Sequence, residues 1–118
     1  MKIRFYGYDK CSTCRNALKF LDARGIEVEP IAIRERPPSF AELKSMLASY
    51  DGDVRRLFNT SGVDYRAMKL SAKLPSMTET EALALLAKNG NLVKRPFVIR
   101  GTRGIVGFDE RAWSEFFA

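Results

Sequence analysis

With 118 residues, 46% of them apolar, the chain is long enough to bury a core and too apolar for an intrinsically disordered protein. No segment approaches the roughly 18 consecutive apolar residues of a membrane span, and the start lacks the long apolar stretch of a secretory signal. A single cytoplasmic domain over residues 1–118 is therefore expected, in a compartment that keeps cysteines reduced.

The net charge of +6, from 20 Lys and Arg against 14 Asp and Glu, is densest at Arg34-Glu35-Arg36, Arg55-Arg56 and Lys94 to Arg103. Such spread charge suits a solvated surface, an anionic substrate or an acidic protein face, and implies no sequence-specific nucleic-acid binding.

Met1 to Tyr8 alternates Ile3 and Phe5 with Lys2 and Arg4, which predicts a first strand. Asp9-Lys10 turns the chain, an amphipathic run from Arg15 to Arg24 predicts a helix, and Gly25 ends it. Ile26 to Ile33 reads as a second strand, completing a βαβ unit. Pro37-Pro38 breaks the pattern. Ser39 and Glu42 form a capping box for a helix from Phe40 to Ser49, closed by the turn Asp51-Gly52. From Asp53 to Asn91 the chain stays helical in character: Val54, Leu57 and Phe58 share one face, as do Leu83, Leu86 and Ala87 after the Thr78/Glu81 cap, with Gly62, Pro75 and Gly90 as dividers.

Pro96 to Arg100 returns to strand, turns at Gly101 to Gly104 and pairs back through Ile105 to Gly107. Asp109 caps a last helix, Glu110 to Phe117, that packs Trp113, Phe116 and Phe117 on the sheet. Without its helical middle the order is β-α-β then β-β-α. This is a thioredoxin-like α/β mixed sheet with a helical insertion at residues 37–91.

Cys11-Ser12-Thr13-Cys14 holds the only two cysteines, at the junction of the first strand and helix. A sulfur at a helix N-terminus faces unpaired backbone N–H groups and the positive end of the helix dipole, which favour the thiolate. Lys10 and Arg15 add positive charge nearby. One turn apart, the two sulfurs are spaced to cycle between dithiol and disulfide. Two other readings stand beside this one: a pair of buried, inert cysteines, and half of a zinc site. The second is short of ligands, because the chain has no His and no third Cys.

The chain resembles the arsenate reductase/Spx family over nearly its whole length. The resemblance rests on Cys11-Ser12-Thr13-Cys14-Arg15-Asn16-Ala17, Leu57-Phe58-Asn59-Thr60-Ser61-Gly62, Arg95-Pro96 and Val106-Gly107-Phe108. It implies that Cys11 is the nucleophile, that Pro96 is cis, and that Arg95 lies near the sulfur to stabilise a thiolate or hold an anion. Arsenate reductases of the family hold the oxyanion with three arginines. Only Arg95 has a counterpart here; the other two positions fall at Asn59 and Gly107.

Cys14 instead resembles the Spx branch, regulators that sense oxidants through a Cys-x-x-Cys pair and bind RNA polymerase. Gly52 matches the glycine those proteins use on the polymerase α subunit, a position that is glycine in arsenate reductases as well. The Asn59-Thr60 and Gly107-Phe108 stretches also resemble small glutathione-linked thiol reductases. The expectation is a redox-sensing regulator that binds RNA polymerase. The alternative is a thiol oxidoreductase, arsenate reductase included. Neither needs a bound cofactor, and glutathione or thioredoxin, with thioredoxin or glutaredoxin as partner, would supply electrons.

Overall fold

The computed structural model describes residues 3–118, so the predicted start of the first strand at Met1 and Lys2 lies outside the described residues. Four strands, β1 (Ile3–Gly7), β2 (Val28–Ala32), β3 (Phe97–Arg100) and β4 (Arg103–Val106), form one sheet in the order β2-β1-β3-β4. β2 runs parallel to β1, while β3 and β4 run antiparallel to their neighbours. With the helices below, this is the thioredoxin-like arrangement expected from the order of elements.

Helix α1 (Ser12–Ala23) joins β1 to β2. It begins three residues before the predicted Arg15, because the Cys11 side chain caps it and the polar stretch Ser12-Thr13 forms its first turn. Gly25, at φ +68°, ends it: its N–H donates to Asp22 O and the Ile26 N–H to Leu21 O, a Schellman closure. Ile26 is thereby used in the cap, which is why β2 starts later than its apolar pattern predicts. At the other end of β2, the Ile33 N–H still donates to Gly7 O at 3.0 Å.

The predicted α2 (Phe40–Ser49) has its capping box, and Glu42 also accepts from the Tyr6 hydroxyl at 2.7 Å and pairs with Arg4. These contacts tie the insertion to β1. The stretch predicted as helical beyond it is broken into α3 (Val63–Ala67), α4 (Leu70–Lys73) and α5 (Glu79–Lys88), with 3-10 turns at Val54–Leu57, Leu74–Ser76 and Gly90–Leu92. Gly90 is where this segment meets the sheet's edge, since a Cβ there would lie 1.8 Å from the Ile33 carbonyl oxygen. The last helix, α6 (Glu110–Phe116), is capped by Asp109 as predicted.

Strand alternation divides the core into two layers. Ile3, Phe5, Val98 and Ile105 face α1 and α6 and pack with Ala17, Leu21 and Trp113. Tyr6, Ile31 and Phe97 face the insertion and pack with Leu43, Met46, Leu57, Phe58, Leu83 and Leu86. Trp113 is fully buried and its indole N–H donates to Gly107 O at 2.8 Å, while Phe116 and Phe117 are only half-buried at the end of the sheet. No helix among the described residues is long and apolar enough to cross a membrane.

Candidate redox site

Four chain segments meet at the Gly7 end of β1. The strand leaves through Tyr8, the turn at Asp9-Lys10 is closed by the Cys11 N–H donating to Tyr8 O at 3.0 Å, and α1 begins at once. Beside it, the antiparallel register that pairs Tyr6 with Phe97 carries Pro96 to the level of Gly7. The Arg95–Pro96 peptide is cis and Pro96 is buried. Gly107, just past β4, donates its N–H to Pro96 O at 2.9 Å and completes the rim.

Within this frame the two sulfurs have different surroundings. Cys11 is partly exposed, and as the cap of α1 its sulfur accepts the Cys14 backbone N–H at 3.3 Å. Cys14 is 2% exposed, with its sulfur against Gly7 and the Tyr8 N–H. Partial burial by itself would raise the Cys11 thiol. It is outweighed by the Cys14 side chain and backbone N–H, the Arg95 charge and the Thr13 N–H, so the net direction is down. The Cys14 thiol is pushed up to about 12, chiefly by burial and also by donating its S–H to Cys11 and lying beside that sulfur's charge, against the Tyr8 N–H and Arg95, which oppose the rise.

The chemistry available is that of a partly exposed thiol that ionises more readily than usual beside a buried thiol that holds its proton. A readily ionised sulfur can attack an electrophilic sulfur or oxygen, and a protonated thiol one turn away can close a disulfide on it.

The structure brings Cys11, Cys14, Arg95 and Pro96 together. It does not use Lys10 and Arg15 as the sequence predicts: Lys10 is exposed, and the Arg15 guanidinium turns back to donate to Asp9 O at 3.1 Å. The cation that lowers Cys11 is Arg95, because it extends from the buried proline loop rather than from the solvent side of the helix. Asn59 is half-buried beside that loop, its N–H donating to Leu92 O at 2.7 Å and its carbonyl accepting from Gly62. Gly52 stands apart from the cysteines, exposed at φ +80° in the Schellman turn that ends α2.

Two neighbours of the site escaped sequence reasoning. Gly7 is buried at the end of β1, and a Cβ there would meet a Phe5 ring carbon at 2.7 Å and Cys14 Sγ at 3.3 Å. Tyr8 lies against both cysteines through its backbone, and its ring carries two guanidiniums, Arg34 at 4.8 Å and Arg95 at 5.5 Å from the centroid. A small residue followed by an aromatic just ahead of the Cys turn was the available signal for Gly7 and Tyr8. Nothing in the linear sequence joins position 34 to position 8.

The model of the ArsC family matches residues 6–116. The chain belongs to the ArsC family. Among curated relatives of this ArsC protein, YusI of Bacillus subtilis is 45% identical over the full length of both chains. An arsenate reductase of Rhizobium meliloti is 32% identical, over 87% of this chain and 74% of that one. The global transcriptional regulator Spx of Listeria innocua is 27% identical over 92% and 81%. A crystal structure of an ArsC family related protein from Bacteroides fragilis superimposes with a TM-score of 0.91 at 45% identity, covering 98% of this chain and 97% of that one. The expected family and thioredoxin-like fold are both borne out.

Proposed function

We propose that this ArsC family member is a dithiol redox protein in which Cys11 attacks and Cys14 resolves. The reading is carried by the opposite tuning of two sulfurs one helical turn apart, the outer thiol lowered and the inner one raised. With a peroxide, the Cys11 thiolate forms an S–O bond as the O–O bond breaks, giving a sulfenic acid and an alkoxide or hydroxide that takes up a proton. The Cys14 thiol then gives up its proton, attacks Cys11 and releases water. Two electrons pass from the dithiol to the oxidant, and thioredoxin or glutathione returns them.

Mild peroxide should convert the wild type to an intramolecular disulfide and leave Cys14→Ser at the sulfenic acid or a mixed disulfide, as read by mass spectrometry. An unbridged wild-type pair under the same treatment would sink the reading.

The finer proposal is that this disulfide regulates binding to the RNA polymerase α subunit through the face that carries Gly52. Two hydrogen bonds support it. Gly107 N–H to Pro96 O and Val106 N–H to the Tyr50 hydroxyl, each at 2.9 Å, connect the proline loop beside the cysteines to the end of α2, two residues from Gly52. A pull-down with the isolated α subunit, comparing dithiol and disulfide forms, tests it. Equal or absent binding by both forms leaves the enzymatic reading, in which Arg95 beside the thiolate serves a small-molecule or protein disulfide.

A further inference from the structure

We propose that Arg34 is a specificity-determining residue that makes the Cys11 site prefer anionic disulfides to neutral ones. The proposal rests on the redox reading above and extends it to the charge of the substrate. Its basis is the pair of guanidiniums on one ring: Arg34 at 4.8 Å and Arg95 at 5.5 Å from the centre of Tyr8. Tyr8 touches both reactive residues, its carbonyl accepting the Cys11 N–H and its own N–H facing the Cys14 sulfur. The ring itself packs on the insertion side, and it joins Arg34 to Arg95, the cation that acts on Cys11, so the two guanidiniums are no farther apart than the sum of their distances to the ring.

Arg34 reaches this place by backbone geometry. The Ile33 N–H to Gly7 O bond extends the β1–β2 ladder by one residue, so Ile33 stands level with Tyr8 and Arg34 follows it as the chain leaves the sheet. There its side chain is exposed, and no carboxylate among the described residues lies within ion-pair distance of it. Asp9 and Glu35 line the groove that opens on Cys14, yet neither pairs with Arg34. A guanidinium stacked on an aromatic ring keeps its edge N–H groups available and its position restricted, which suits bidentate capture of a carboxylate.

The two arginines divide the work. Arg95 acts on the cysteines themselves, whereas Arg34 is not among the groups that shift the Cys11 thiol. Arg34 reads the charge of what approaches without tuning the nucleophile. In the reaction, Cys11 Sγ forms a bond to one sulfur of a carboxylate-bearing disulfide as its S–S bond breaks and the first thiolate leaves with the electron pair. Cys14 then loses its proton and attacks Cys11, releasing the second thiolate and completing the protein disulfide. The substrate is reduced by two electrons and the dithiol oxidised by two.

The test uses three symmetrical disulfides on the reduced full chain: dithiodipropionate (anionic), bis(2-hydroxyethyl) disulfide (neutral) and cystamine (cationic). Comparing variant with wild type for each probe cancels their different leaving groups. For the anionic probe, Arg34→Gln should slow oxidation about threefold and Arg34→Glu about tenfold at low salt, the size of one and two screened charge contacts near a surface. The neutral probe should change by less than about twofold, the cationic one should speed up with Arg34→Glu, and the differences should collapse in 1 M KCl, where the screening length is about 3 Å. The alkylation profile of Cys11 should stay put. Equal changes for all three probes, or none for the anionic one, would overturn the role of Arg34 while leaving the redox reading intact. Failure of wild type with every probe would overturn both.

Discussion

Replacing Gly7 by alanine adds one methyl group at the most crowded point of the site. Gly7 is not at positive φ, so alanine can adopt its backbone conformation and the effect is one of space. The new Cβ would lie 2.7 Å from a ring carbon of Phe5, itself 2% exposed, and 3.3 Å from Cys14 Sγ. Neither neighbour is the free end of a flexible chain. Overpacking of this kind costs about 1–3 kcal/mol. At an unfolding entropy of about 2.1 cal/mol/K per residue, that is a fall in Tm of about 4–12 °C for a chain of this length. Thermal melts of the reduced protein followed by circular dichroism give the first readout, and the rate of Cys11–Cys14 disulfide formation gives the second, which should fall because the methyl presses on the resolving sulfur. A Tm within about 2 °C of wild type, with disulfide formation unchanged, would refute the packing argument for Gly7.

The pH dependence of stability is a second outcome. The folded state holds the Cys14 proton up to about 12, whereas an unfolded thiol titrates near 8.5, so between those values the native state binds the extra proton and stability falls as pH rises. Cys14→Ser should therefore lose less stability than wild type across that window in denaturant titrations, and parallel curves would contradict the assignment. Cys11 acts in the opposite sense, adding stability above the unfolded thiol value that is lost as pH falls through its own lowered one. For arsenate, two missing guanidiniums at about 1.5–3 kcal/mol each remove several powers of ten in rate, so turnover with glutathione and glutaredoxin should be negligible. Asn59→Arg with Gly107→Arg, the change the sequence suggests for restoring it, meets an obstacle in the fold. Gly107 sits at φ +68°, between the Pro96 carbonyl and the Trp113 indole, where a side chain costs about 1–2 kcal/mol. The double variant should lose thermal stability, and robust turnover by the unmodified protein, abolished by Cys11→Ser, would contradict the expectation.

The legible parts of the fold were those written in local patterns. The boxes Ser39/Glu42 and Thr78/Glu81 and the cap Asp109 each mark a helix start through a short-range hydrogen bond, and all three form. Alternation located β1 and the β3–β4 hairpin. The apolar pattern does not mark the start of α1, because its first turn is polar and Cys11 caps it through sulfur, a weaker signal than a Ser or Asp oxygen. The middle segment is helical in pattern, but its division into short pieces follows from where Leu57, Tyr65, Leu70 and Leu83 must reach one core, a tertiary demand. The site shows the same split. The Cys pair and Arg95-Pro96 were legible as motifs, whereas the choice of Arg95 over Lys10 and Arg15 depends on which side chain folds toward the sulfur. The stacking of Arg34 on Tyr8 depends on a sheet contact 26 positions away in sequence, between Ile33 and Gly7.

The central claim is that Cys11 is the nucleophile and Cys14 its buried partner. Iodoacetamide alkylation of the reduced protein across pH, with each cysteine quantified by peptide mass spectrometry, measures it at both sulfurs at once. Cys11 should react first, with a midpoint below the value of about 8.5 for a free cysteine, and Cys14 should resist alkylation until strongly alkaline pH. Prior reaction of Cys14, or two cysteines that both titrate like free thiols, would contradict the account.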